Sequence, residues 1–155
     1  MILTNLIRDI SKIDTEDICS AWQWLLMNQK SVILVSSIGD IFLLGTDDSV
    51  YWLQTDGGIL TKVADNVTQF ESFLSEKDKI DNWFLPLLVD KLINAGKTLK
   101  ESEVYSFKIM CILGGDYSVE NIEPTDISVH FALTGQISYQ ISDLPDGTKV
   151  NIKIE

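Results

Sequence analysis

The stretch SVILVSSIGDIFLLGTDDSVYWLQTDGGILTKV, residues 31–63, decides the fold. Short runs rich in Val, Ile, Leu and aromatic side chains are cut by turn-forming groups at Gly39-Asp40, Asp47-Asp48-Ser49 and Asp56-Gly57-Gly58. That punctuation predicts strands over Ser31–Ser37, Ile41–Thr46, Val50–Gln54 and Ile59–Val63, joined as an antiparallel meander. Tyr51 and Trp52, adjacent on one strand, point to opposite faces, so one of the pair is expected to be available as an interface anchor.

Outward from the meander the period changes. Upstream, Ile18, Trp22, Leu25 and Leu26 fall on one helical face behind a cap at Asp14 or Thr15. Downstream, Asn66 or Thr68 starts a helix with Phe70, Phe73 and Leu74 on its apolar side. A second helix runs from about Lys79 to Asn94 and stops at Gly96; Pro86 within it removes a donor, so it must kink or begin anew there. Tyr105 to Ile109 reads as a short strand leading into a Gly114-Gly115 corner. Ile127, Val129, Phe131 and Leu133 then alternate, Gly135-Gln136 turns the chain, and Ile137, Tyr139 and Ile141 alternate on the return. Val150, Ile152 and Ile154 follow an Asp143-Leu144-Pro145-Asp146-Gly147 turn as a terminal strand. The whole reads as α+β: an antiparallel β-sheet, meander plus C-terminal hairpin, with helices packed on one side. No repeat or linker marks a boundary, so residues 1–155 are expected to form one domain.

The chain is 45% apolar with four Trp, too hydrophobic for a disordered protein. Cys19 and Cys111 stand far apart in apolar surroundings, and Met1 to Ile13 carries Arg8, Asp9 and Lys12 with no long apolar stretch. A reduced, cytoplasmic setting is expected. The longest uncharged runs fall well short of the ~20 residues that span a bilayer.

Charge narrows the partners. Twenty-three acidic against 12 basic residues give a net charge of −11, which repels phosphate backbones and anionic lipid. Direct nucleic-acid or membrane binding is therefore not expected. Residues 109–148 hold Asp116, Glu120, Glu123, Asp126, Asp143 and Asp146 with no Lys or Arg; residues 31–61 hold Asp40, Asp47, Asp48 and Asp56, again with none. These segments suit a basic partner, because complementary charge speeds encounter and suppresses wrong partners. The plainer reading is that the charge keeps the protein dissolved.

No catalytic, cofactor or metal signature stands out. Gly114-Gly115 lacks the Lys-Ser/Thr of a phosphate loop and reads as a tight corner, with Asn121 bonding backbone there. Asp47-Asp48, or Asp143 with Asp146, lack the regular oxygen spacing and closing Glu of a calcium loop. His130 is the single histidine and cannot build a zinc site with two non-motif cysteines. A small hydrolase would need Cys111 activated by His130 within hydrogen-bond reach.

Several tracts together resemble a known family. They are Gly39-Asp40-Ile41-Phe42-Leu43, Val50-Tyr51-Trp52-Leu53, Ile59 to Ala64, Phe70, Gly96, Leu99, Tyr105, and above all Leu113-Gly114-Gly115 with Tyr117 and Asn121. The family, formerly of unknown function, is the C-terminal domain of immunity proteins against type VI secretion DNase toxins, and the resemblance runs from about residue 17 to the C-terminus. Met110-Cys111-Ile112 stands where the family pattern has a Pro. The resemblance implies a non-catalytic, cytoplasmic immunity protein without cofactor, which binds and neutralises a cognate basic nuclease toxin by placing acidic side chains where DNA phosphate would go. The candidate charges are Asp47, Asp48, Asp56, Asp116, Glu120, Asp143 and Asp146, with Trp52 as the candidate anchor. The alternatives are a SUKH-like regulatory or interaction domain, or the Cys111/His130 hydrolase.

Overall fold

The computed structural model describes residues 3–27, 29 and 31–154. At its centre the meander forms as the turn chemistry dictates: β1 (Ser31–Val35), β2 (Ile41–Leu44), β3 (Val50–Gln54) and β4 (Ile59–Ala64), each antiparallel to the next. Pleating separates two hydrophobic sets. Ile41, Leu43 and Leu53 enter one buried cluster, while Phe42, Val50 and Trp52 enter the other.

Both sets are covered by helices. On the first face lie α1 (Thr15–Ser20) and α2 (Gln23–Leu26), supplying Ile18 and Leu26, with Trp22 from the joint between them. Asp14 caps α1 by accepting from the Asp17 amide at 3.1 Å. On the second face lie α3 (Val67–Phe73), α4 (Lys77–Phe84) and α5 (Pro86–Asn94), supplying Phe70, Trp83, Phe84 and Leu92. Asn66 caps α3 through the Gln69 amide at 2.8 Å. Pro86 starts a helix of its own: Leu85 takes a left-handed conformation (φ +48°) between α4 and α5, and Pro86 occupies the first turn, where its missing N–H costs nothing. Phe42 is the hub of this face, with its ring 5.1–5.9 Å from those of Phe70, Trp83, Phe84 and Trp52.

The α+β class stands, with the four-stranded sheet joined by a two-stranded hairpin, but the hairpin is built from other residues and the helices occupy two faces instead of one. The hairpin pairs β5 (Glu103–Phe107) with β6 (Ile122–Asp126). Residues 127–141, expected as two alternating strands, form a single helix, α6 (Ile127–Ile141), capped by Asp126, whose carboxylate accepts from the Val129 amide at 3.1 Å. The expected Gly135-Gln136 turn lies inside it. The inward positions of α6 are Ile127, His130, Phe131, Thr134, Gly135 and Ser138. Those positions recur at helical spacing, but small and polar residues occupy most of them, so the apolar period is hidden. Gly135 shows the reason for smallness: a Cβ there would sit 2.6 Å from the Ala21 carbonyl oxygen, so α6 lies directly against the α1–α2 joint. The expected terminal strand at Val150–Ile154 is also absent; residues 143–154 hold a Pro145–Thr148 turn and are otherwise irregular, with Lys153 tied to the Gln140 side chain.

Phe42→Ala should lower stability by about 3–5 kcal/mol in urea unfolding. Gly135→Ala should also destabilise, although Ala is the better helix former, because its methyl meets the Ala21 backbone; a higher urea midpoint would contradict this packing.

Candidate functional site

Polar groups converge where the β1–β2 turn, the end of β3, β5 and α6 meet. Gly39 (φ +83°) sits in that turn, and a Cβ on it would run into the imidazole of His130. His130, fully buried, lies 2.8 Å by Nε2 from the Gly39 carbonyl oxygen and 3.1 Å from Thr55 Oγ1, while Nδ1 lies 2.7 Å from Ser106 Oγ. A carbonyl only accepts, so Nε2 carries the proton and Nδ1 accepts from the Ser106 hydroxyl. Next to it, Asp40 accepts from the Thr55 amide at 3.0 Å, the Thr55 hydroxyl at 3.3 Å and Trp52 Nε1 at 3.2 Å. Burial, then the nearby Asp56 charge, pushes Asp40 up to about 7; burial pushes His130 down to about 4.

A second cluster lies one turn further along. Asp56, following β3, accepts from the Tyr117 hydroxyl at 2.9 Å, and its carbonyl accepts from the Ile112 amide at 3.2 Å. These bonds pin the loop joining β5 to β6 onto the β3–β4 turn. Asn121 braces that loop as read from the sequence: it accepts from the Ile109 amide and donates to the Ile109 and Asp116 carbonyls. Gly114 (φ +94°) ends a turn of 3-10 helix at Cys111–Leu113, so Gly114-Gly115 is a corner. Between the clusters is a cavity of about 130 Å³ with Asp40, Trp52, Asp56 and Phe107 in its lining and Tyr117 at its edge.

The candidate charges divide. Asp56 and Asp116 lie on the two segments that Tyr117 joins, and Asp146 borders a separate depression with Ile112 and Leu113. Glu120 is exposed on the β5–β6 loop and Asp143 just beyond α6. Asp47 and Asp48 sit in the β2–β3 turn, at the opposite end of β3 from Asp56, and Asp47 accepts from the Tyr51 hydroxyl and the Ser49 amide. Trp52 is not an exposed anchor: only 9% accessible, it stacks on Phe42, donates to Asp40 and borders the cavity. Cys111 and His130 are not brought into a dyad. Both ring nitrogens of His130 have other partners, and the Cys111 thiol, near Asp56 and Tyr117, is pushed up to about 11 by burial. No group of three or more His, Cys, Asp or Glu side chains suited to a metal ion occurs among the described residues, and no helix among them is long and apolar enough to cross a membrane.

Sequence reasoning missed the His130–Asp40–Thr55 group because it placed His130 on a strand. The available signal was the Asp126 cap followed by inward positions at 127, 130, 131, 134 and 138.

Residues 64–138 match the family described as T6SS immunity protein Tdi1, C-terminal. The match bears out the resemblance and supports an immunity role; it includes the Leu113-Gly114-Gly115, Tyr117 and Asn121 block, whereas the Gly39-Asp40 and Val50–Leu53 tracts lie outside it. Among solved structures, the crystal structure of Atu4351 from Agrobacterium tumefaciens has a similar fold: TM-score 0.54 and 17% identity, covering 80% of this chain and 65% of that one. This chain thus spans just under two thirds of that protein. None of the curated proteins matches.

The two buried titrating groups oppose each other. His130 is neutral in the fold down to about pH 4 against 6.5 unfolded, so between these values the unfolded chain takes up the extra proton and stability falls on acidification. Asp40 holds its proton in the fold up to about 7 against 3.8 unfolded, so stability falls there as pH rises. The slopes cancel across much of this range. Asp40→Asn removes one of them, and the variant should lose stability from pH 6.5 to 4 more steeply than the wild type, by up to about 1.4 kcal/mol per pH unit. Urea midpoints across that range check it; parallel profiles would contradict the opposed burial of the pair.

Proposed function

We propose that this chain is a non-catalytic immunity protein that binds and neutralises a cognate secreted toxin, a basic nuclease, through its acidic surface. The match of residues 64–138 to a type VI secretion immunity family carries the reading. The charge of −11 adds to it, because a surface that repels DNA phosphate attracts the groove that binds DNA. Blocking such a groove requires carboxylates held in place and no bond chemistry. Asp56 and Asp116 meet that requirement, since hydrogen bonds fix each on a braced loop while the chain's surface stays open around them.

The site of action proposed is the cytoplasm, where incoming toxin would meet it. The open reading frame beside this one should encode a basic nuclease toxin. Mixed with it, the full chain should form a one-to-one complex on size exclusion, abolish DNA cleavage at equimolar ratio, and bind about tenfold more weakly when salt is raised from ~50 to ~300 mM. A complex that leaves cleavage intact, or no complex, would overturn the reading.

A further inference from the structure

Two depressions adjoin across Leu85 and Tyr117. One is an apolar groove of about 370 Å³, walled by Leu85, Pro86, Leu87, Leu88 and Tyr117, with Asp81 and Lys91 also in its lining. The other is the cavity of about 130 Å³ that holds Asp40, Asp56, Trp52 and Phe107 and also reaches Leu85 and Tyr117. We propose that the two form one socket in which the cognate toxin docks, with an apolar side chain of the toxin against Leu87 and Tyr117 and the Lys or Arg beside it entering between Asp40 and Asp56. This rests on the immunity reading above.

Three observations favour that occupant. Leu87 is 76% and Tyr117 53% exposed, so large apolar surface faces water beside a hole whose carboxylates have no Lys or Arg in the lining. Among the described residues Asp40 Oδ2 accepts from Trp52 Nε1 and Asp56 from Tyr117, so each keeps a lone pair for a cationic donor, whose charge would also draw the proton off Asp40. The rings of Trp52, Phe107 and Tyr117 line the same space and would offer their faces or edges to that cation and its aliphatic stem. A neutral apolar peptide would cover the half-buried Asp56 carboxylate without compensating it, and a nucleic acid would set phosphate against it. The junction is also conformationally held: Leu85, a non-glycine residue at φ +48°, forms part of both walls.

The test uses the full chain and the neighbouring nuclease toxin. Leu87→Asp and Asp56→Asn change an exposed side chain and a single charge; the Asn keeps an oxygen for the Tyr117 hydroxyl. Each should weaken binding by about tenfold or more in calorimetry with an unaltered melting profile, while Glu71→Gln on α3 leaves it unchanged. Hydrogen exchange in the complex should show protection at residues 81–91 and 107–118. Wild-type affinity in both variants, with protection elsewhere, overturns the socket and leaves the immunity reading standing; no complex with the wild-type chain removes both.

Discussion

The buried imidazole of His130 is the contact on which the rest of the arrangement depends. It draws α6 onto the Gly39 carbonyl of the β1–β2 turn, the Thr55 hydroxyl at the end of β3 and the Ser106 hydroxyl of β5. A histidine so enclosed is tolerable because both nitrogens are satisfied in the neutral form, and each would cost about 1–3 kcal/mol if left unpaired. Gly39 is the complement of that ring, since only a residue without a side chain leaves room for it. The neighbouring Asp40 then binds Trp52 and Thr55, so two adjacent residues of the β1–β2 turn join the outer helix, the central strand and the aromatic core.

The sheet can be sandwiched because its strands are buried on both sides. Ile41↔Leu53 and Phe42↔Trp52 are adjacent cross-strand pairs facing opposite clusters. Helices α3–α5 cover the Phe42 side, while the N-terminal helices and α6 meet over the other. Near-continuous apolar runs in β2 and β3 are the sequence mark of this double burial.

The acidic surface has a similar division of labour. Asp47 and Asp48 shape the β2–β3 turn at one end of the sheet, whereas at the other end Asp56 ties the β5–β6 loop to the meander and Asp116 braces that loop internally. At the second end Leu87 and Tyr117 remain uncovered beside a cavity that two carboxylates line. Charge alone does not separate these two groups; the apolar surface beside one of them does.

The sequence by itself determined the meander, helix starts at Asp14 or Thr15 and at Asn66 or Thr68, a break at Pro86, the Asn121 corner and the net charge; the structure chose Asp14, Asn66 and a fresh helix at Pro86. Each is a local matter, written in turn residues, apolar period or composition within a few positions. Only the tertiary structure decided α6, the second covered face and the fate of Trp52. Alternation at residues 127–141 favoured strands because the buried side of that helix carries only Ile127 and Phe131 as apolar groups; Gly135 is there for close approach and His130 for hydrogen bonds to Gly39, Thr55 and Ser106. Such a choice depends on atoms as distant along the chain as Gly39 and Ala21, and no window of sequence contains them.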